Sequence, residues 1–224
     1  MFNWLKKGKP QVSPPHSLRD SLFGDLPFSK WPSGDDMSGE PWASFVQARK
    51  HVDAGKHGDA IAELQKITQM DGLESRHYLQ AWHFLRQLNV NPPEEKAKIV
   101  YGVVVEVGMK QGADIVAAYA DGTARYLHNT GAATIWERPN ASLDTEIQAL
   151  LKAGQEVANM IGPWEKERPA APVGPNVRLN MLTPSGLHFG YGGFENLYQD
   201  PKGKALIDPA TALMQKLTKL GRSH

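Results

Sequence analysis

Eight histidines are spread along the chain, at His16, His51, His57, His77, His83, His128, His188 and His224. None stands in an HExxH or HxH pattern or in an i, i+4 pair, the spacings that put two imidazoles on one face of an element to share a metal. His51/His57 and His77/His83 are each six apart, which turns the two rings to opposite sides of a helix. Cysteine is absent, so thiolate ligands, disulfides and Cys nucleophiles are excluded. No metal and no cofactor is expected. The best-placed serine is Ser185, in Thr183-Pro184-Ser185-Gly186 with His188 nearby. A nucleophile elbow reads GxSxG between a strand and a helix. Here the serine lies between two predicted strands, where Pro and Ser belong on turn chemistry alone, and it is read as a turn residue. Gly190-Tyr191-Gly192-Gly193 follows a strand but lacks the lysine or threonine that completes a phosphate loop. The acidic pairs Asp35-Asp36 and Glu94-Glu95 fall in or beside proline-rich loops, where carboxylates stay solvated and keep ordinary acidity. Glu106 differs, because it interrupts an apolar strand: a partly buried acid there could serve function, though a place on a sheet face or edge is the plainer reading. An enzymatic reading would gather His128, His188, Glu106 and Arg125 into a small hydrolase-like site.

The whole chain tells against several other classes. Its 224 residues carry 25 basic and 24 acidic side chains, a formal charge of +1, which lacks the electrostatic footprint of a dedicated nucleic-acid binder. Hydrophobic residues make up 41% and charged residues 22%, enough to bury a core. No apolar run approaches the roughly 18–20 residues of a membrane span. The start, Met1 to Pro10, places its lysines after the apolar residues with no apolar h-region behind them, unlike a secretory leader. A cysteine-free chain of this kind suits a reducing, bacterial-type cytosol, so a cytoplasmic location is expected.

Three segments follow from composition. Residues 1–41 hold six of the 16 prolines in 10–41 and read as an extended arm. Leu18, Leu22, Phe23, Leu26, Phe28 and Trp31 make the arm too apolar for a free linker. It is expected to lie on its own domain or to dock on a partner as a linear motif, and to be dispensable for folding. Residues 42–93 form a helical segment. Phe45, Ala48 and Val52 mark a first helix that ends near Gly55. Ala60, Ile61, Leu64, Ile67 and Met70 mark a second, stopped by Gly72, and Tyr78, Leu79, Trp82, Leu85 and Leu88 a third, closed by Asn91-Pro92-Pro93. Gly55, Ala60-Ile61, Leu64 and Ile67 resemble the turn and second helix of a tetratricopeptide repeat over about 35 residues, with Gly72 where that family usually has proline. The resemblance implies a tetratricopeptide-like helical hairpin and not a peptide-binding superhelix, since no second full copy follows.

Residues 94–224 read as an α+β domain. Ile99 to Met109 alternate with period two; strands at 115–120 and 123–128 flank Asp121-Gly122, and a further strand spans 132–137. A helix over 142–161 follows, with Ser142 as its cap, then a hairpin about Pro184-Ser185-Gly186. A final helix is capped by Asp208 with Pro209 at its first position. The predicted fold is α+β: an N-terminal helical hairpin of three helices, then an antiparallel sheet of about six strands in the order ββββ-α-ββ-α. The topology is similar to roadblock, longin and profilin-like domains, without their residue motifs. A two-residue Asp121-Gly122 turn would set Tyr119 opposite Ala124 and gather Tyr119, Tyr126, His128, Thr134 and Trp136 on one face. That aromatic face, represented by Tyr119, Tyr126, His128 and Trp136, is the candidate binding site. The function expected is a non-catalytic interaction or adaptor protein that binds another protein or itself, an immunity role being compatible. No nucleic acid and no membrane span is expected.

Overall fold

A computed structural model describes residues 18–34 and 37–221. The Phe2–Lys9 segment, His16, the Asp35-Asp36 pair and His224 lie outside the described residues.

The proline-free stretch folds as α1 (Trp42–Asp53), α2 (His57–Gln69) and α3 (Ser75–Gln87). The chain reverses at Gly55 and Gly72, whose φ of +71° and +74° suits glycine far better than other residues. Phe45 and Ala48, Leu64 and Ile67, and Ala81 with Phe84 and Leu85, set three or four apart within their helices, meet in one buried cluster between the three helices. After the short α4 (Glu94–Ala97) come β1 (Gly102–Gly108), β2 (Ala113–Tyr119), β3 (Ala124–Leu127) and β4 (Ala133–Trp136). Then follow α5 (Asp144–Met160), β5 (Asn176–Thr183), β6 (Gly186–Gly193), α6 (Phe194–Gln199) and α7 (Pro201–Gly221). The strands form one antiparallel sheet in the order β4-β3-β2-β1-β5-β6. The fold is the predicted α+β class, with a helical start and ββββ-α-ββ-α order, α6 being an added short helix. Among the described residues no helix is long and apolar enough to cross a membrane.

Period-two patterning gives the sheet two apolar faces, and each is covered differently. Val103, Val105, Val116, Leu179 and Met181 lie under α5 and α7 through Ile147, Leu150, Ala158, Leu213 and Leu217. Contact there is so close that a Cβ on Gly154 would stand 2.5 Å from a Val103 methyl. Val104, Ile115, Ala117, Tyr119 and Leu182 lie under Leu22 and Phe23 of the arm and Leu79 of α3. The arm is held by polar bonds as well. Tyr119 donates its hydroxyl to the Leu22 carbonyl at 2.7 Å, and the Gln80 amide exchanges two bonds with the Leu26 backbone, at 3.0 and 2.7 Å. Leu22, Phe23 and Leu26 of the arm are thus buried core residues, which argues against the expectation that the arm is dispensable. Apolar residues in a proline-rich stretch lack periodicity but still bury area.

Three local expectations are corrected. First, Ala118, not Tyr119, pairs with Ala124. Only Gly122, at φ +80°, takes positive φ in this turn; Tyr119 donates its N–H to the Thr123 carbonyl and Gly122 to the Tyr119 carbonyl. That is a three-residue loop with its glycine in the left-handed position. The extra residue shifts the register by one and exchanges the faces of β2 relative to β3. Second, the last helix begins at Pro201, where Asp200 Oδ1 accepts from Lys202 and Gly203 N–H at 2.9 and 2.8 Å, and Pro209 lies inside it. Both Asp-Pro pairs carry the same start signal, and the helix uses the first. Third, Ser142 does not cap α5, which starts after Leu143 without a side-chain cap.

Candidate functional site

The residues predicted to share a site do not all meet. Tyr126, His128, Thr134 and Trp136 alternate onto the face under α5 and α7, while Tyr119 lies on the arm-covered face. Tyr119 is fully buried, and Tyr126 nearly so. Burial, with Asp114 beside it, pushes the Tyr126 phenol up to about 12. Its hydroxyl donates to Asp114 at 3.2 Å, and Trp136 packs half-buried against the helix-side core. His128 is bonded to Thr130 at the loop, 2.8 Å away. The alternative set is also divided. Glu106 and Arg125 lie on the arm-side face of β1 and β3, while His128 and His188 lie on the helix side.

Glu106 is fully buried and accepts from Arg19 Nε at 2.6 Å, Asn180 Nδ2 at 3.2 Å and Arg178 at 3.4 Å. Arg19 and Arg178 also donate to the Pro169 and Ala170 carbonyls, at 3.0 and 2.7 Å. One carboxylate therefore ties the arm, β5 and the crossing of residues 162–175 together. The buried carboxylate is compensated by the two guanidinium groups that face it, as burial requires. Arg168 repeats the device at the surface, bonded to Asp25 at 2.7 Å and Asp20 at 3.0 Å with its guanidinium 4.0 Å over the Phe23 ring.

These ties position the β5–β6 end of the sheet, where the remaining chemistry collects. A groove of about 750 Å³ opens between the arm, α3, the crossing and the β5–β6 turn, lined among others by His83, Arg86, Trp164, Arg168 and Ser185. Burial, helped by Arg86, pushes the His83 imidazole down to about 4. Burial also pulls the Arg86 guanidinium down to about 10, with Asp25 opposing. Arg86 donates to the Pro184 carbonyl. Such perturbed groups in a cleft are the usual marks of a working site.

At the turn, Ser185 Oγ is 3.1 Å from His188 Nε2, and His188 Nδ1 is 3.2 Å from the Ile161 carbonyl. His188 is fully buried, and burial holds its ring below the ordinary imidazole range. The sequence offered this pair as a serine with a histidine three residues on. A hairpin turn is not a nucleophile elbow, yet this two-residue turn brings both side chains together.

Beyond the turn, β6 is the outer strand. Tyr101 donates to the Leu182 carbonyl on one side of β5, and Trp164 donates to the Leu187 carbonyl on the far side of β6, at 2.6 Å. By alternation, Phe189 and Tyr191 turn their N–H and C=O groups outward as well. Their rings flank Arg178, whose guanidinium lies 5.4 and 5.2 Å from their centroids, and Trp164 meets Phe189 edge-on at 5.2 Å. Tyr191 and Trp164 are 51% and 40% exposed, so this aromatic strip faces solvent. In the sequence this strip shows only as the glycine-rich run Gly190-Tyr191-Gly192-Gly193.

Among the described residues no group of three or more His, Asp or Glu side chains is placed to hold a metal ion. Comparison with protein-family models, with curated proteins and with solved structures gives no match.

Proposed function

We propose that this is a protein-binding module which takes up an extended segment of another protein as an added strand on β6. The observation that carries the reading is the open edge at Phe189 and Tyr191. Gly186–Gly193 is eight residues long and contains no charge and no proline, the features by which sheets usually protect their edges. Strand addition supplies main-chain hydrogen bonds, and the rings of Trp164, Phe189 and Tyr191 supply contact area beside them. The helical segment is the support for the arm, and its Gly55 turn with Ala60, Leu64 and Ile67 buried favours the tetratricopeptide-like reading of that hairpin. A cytoplasmic setting suits a chain without cysteine.

The test places a photo-crosslinking benzoylphenylalanine at Tyr191 in the native cell. A discrete protein adduct is expected, and it should vanish when Phe189→Pro removes an outward N–H without touching the β5 ladder. An adduct between two copies of the chain would make self-association the function. Crosslinking no stronger than from the same probe at Met160, which is 66% exposed, would overturn the reading.

A further inference from the structure

The β5–β6 turn carries a second capacity, independent of the open edge. Its polar groups admit a proton arrangement that leaves the imidazole ready to act as a base. The Ile161 carbonyl can only accept, so His188 Nδ1 carries a proton and donates it. The ring is neutral in its buried site, which leaves a lone pair on Nε2. Ser185 Oγ, 3.1 Å away, is the hydroxyl within reach of that lone pair and can donate its proton to it. Thr183, 2.9 Å from Ser185 Oγ, has its own acceptor in the Gly186 carbonyl at 3.0 Å. A serine hydroxyl pointed at a neutral imidazole, whose other nitrogen is fixed by an acceptor, is the arrangement that generates an alkoxide nucleophile.

The surroundings hold that geometry in place. Ser185 donates its N–H to the Ala97 carbonyl at 2.9 Å, Arg86 grips the Pro184 carbonyl, and Trp164 bonds Leu187. Three separate segments therefore pin one turn of a hairpin, which a turn needed only for connection does not require. Ser185 is half-buried and lines the groove, while His188 stands fully buried behind it. Arg86 lines the same groove and, among the described residues, has no carboxylate within ion-pair distance. A partly desolvated cation on which Asp25 acts only from beyond ion-pair distance favours a negative charge arriving beside it.

We propose that Ser185 is a nucleophile, with His188 as its general base and Arg86 as the cation that meets the oxyanion, acting on a carboxylic ester or similarly activated acyl group bound in the groove. As Ser185 Oγ bonds to the carbonyl carbon, its proton passes to His188 Nε2 and the carbonyl electron pair moves onto oxygen beside Arg86. The oxyanion collapses, the bond to the leaving alkoxide breaks, and the alkoxide takes the proton from His188. Water then attacks the acyl-Ser185 ester, with His188 accepting its proton and returning it to Ser185 Oγ, and the acid is released.

The test treats the full chain with a fluorophosphonate, which transfers phosphorus to an activated serine with loss of fluoride, and maps the adduct by peptide mass. One adduct on Ser185 is expected, absent in Ser185→Ala and formed at least about 100-fold more slowly in His188→Gln. Arg86→Gln should slow p-nitrophenyl acetate hydrolysis by roughly 100-fold. Should His188→Gln fail to fold, the native wild-type chain must label while its urea-unfolded form does not. No adduct on Ser185, or labelling indifferent to His188 or to unfolding, overturns the proposal and leaves the pair as a satisfied turn.

Discussion

The two edges of the sheet have opposite characters. β4 is four residues long and runs into Glu137-Arg138-Pro139, so charge and proline stand at its end. β6 is twice as long, uncharged, and carries two aromatic rings on an arginine. Each edge has an anchoring arginine one strand in, but the anchors differ. Arg125 reaches Glu137, whose side chain is 65% exposed, across 3.2 Å. Arg178 reaches Glu106, which is fully buried and shared with Arg19. Buried charge, the arm and the crossing all support the β6 edge, the one that the proposed function uses for contact, whereas β4 ends beside charge and proline.

Charge removal should separate the edges most strongly. Glu106→Ala leaves Arg178 and Arg19 without their shared carboxylate in a desolvated site, and a loss of about 3–5 kcal/mol is expected in urea denaturation. Glu137→Ala at the other edge should cost less than about 1 kcal/mol, as exposed pairs do. Equal midpoints for the two variants would show that Glu106 is not the keystone of the β6 end.

The arm offers the next contrast. Leu22 is 2% exposed over β1 and β2, and Leu22→Ala should destabilise by roughly 3 kcal/mol. Ile135 on β4 is 58% exposed, and Ile135→Ala should stay within about 0.5 kcal/mol. Limited proteolysis of Leu22→Ala should also release the arm before the sheet is cut. A small loss at Leu22 would return the arm to the dispensable status that its prolines suggest.

Much of this architecture was legible in advance, because it rests on periodicity. Ala60, Leu64 and Ile67 announce a helix and Val103, Val105 and Val107 a strand without any knowledge of neighbours. What failed was what depends on a single residue. Gly122 alone in the left-handed region makes a three-residue loop in place of the expected two-residue turn, which moves the register by one and takes Tyr119 away from Tyr126 and Trp136. Asp200-Pro201 and Asp208-Pro209 send the same signal, and only packing chooses between them. The candidate site was less legible still. Ser185 and His188 are visible as letters, but the Ile161 carbonyl that orients the ring comes from a helix end 27 residues away. Nothing local in Gly190-Tyr191-Gly192 says which strand will be outermost.

Acid should act on the groove at the β6 end. His83 titrates near 4 when folded and near its ordinary value of 6.5 when unfolded. Between those values the unfolded chain binds the proton and the folded chain does not, so stability falls as pH drops from 6.5 towards 4 and levels off below. His188 adds a loss of the same sign, since its folded pKa is also lowered. Arg86 and Arg168 disfavour the His83 cation and Asp25 favours it, so the sign holds while burial dominates. His83→Gln should recover about 1–2 kcal/mol of the acid loss, allowing for partial solvent screening. Denaturation midpoints at pH 7.5 and 4.5 for wild type and variant provide the check. An unchanged acid loss would mean that His83 is already wet and that the groove is wider in solution.

The finest difference between the edges lies in two amides. Phe189 and Tyr191 point their N–H groups away from β5, whereas His188 and Gly190 point theirs into the ladder, where the β5–β6 register pairs them with Met181 and Leu179. In the free protein, hydrogen exchange at 189 and 191 should therefore be fast and at 188 and 190 slow, although all four belong to one strand. On β4 the same alternation makes Ile135 a fast amide. The edges so far behave alike. They should part when an extended partner segment is added: protection should appear at 189 and 191 and leave 135 unchanged, because only β6 offers rings beside the new strand and no charge against it. Tyr191→Lys puts a charge at that position. It should alter stability by no more than about 1 kcal/mol, the scale of one exposed cation–π contact, yet abolish the added protection. Slow exchange at 189 and 191 in the free chain would mean that the edge is already occupied, and protection that survives Tyr191→Lys would place the partner elsewhere.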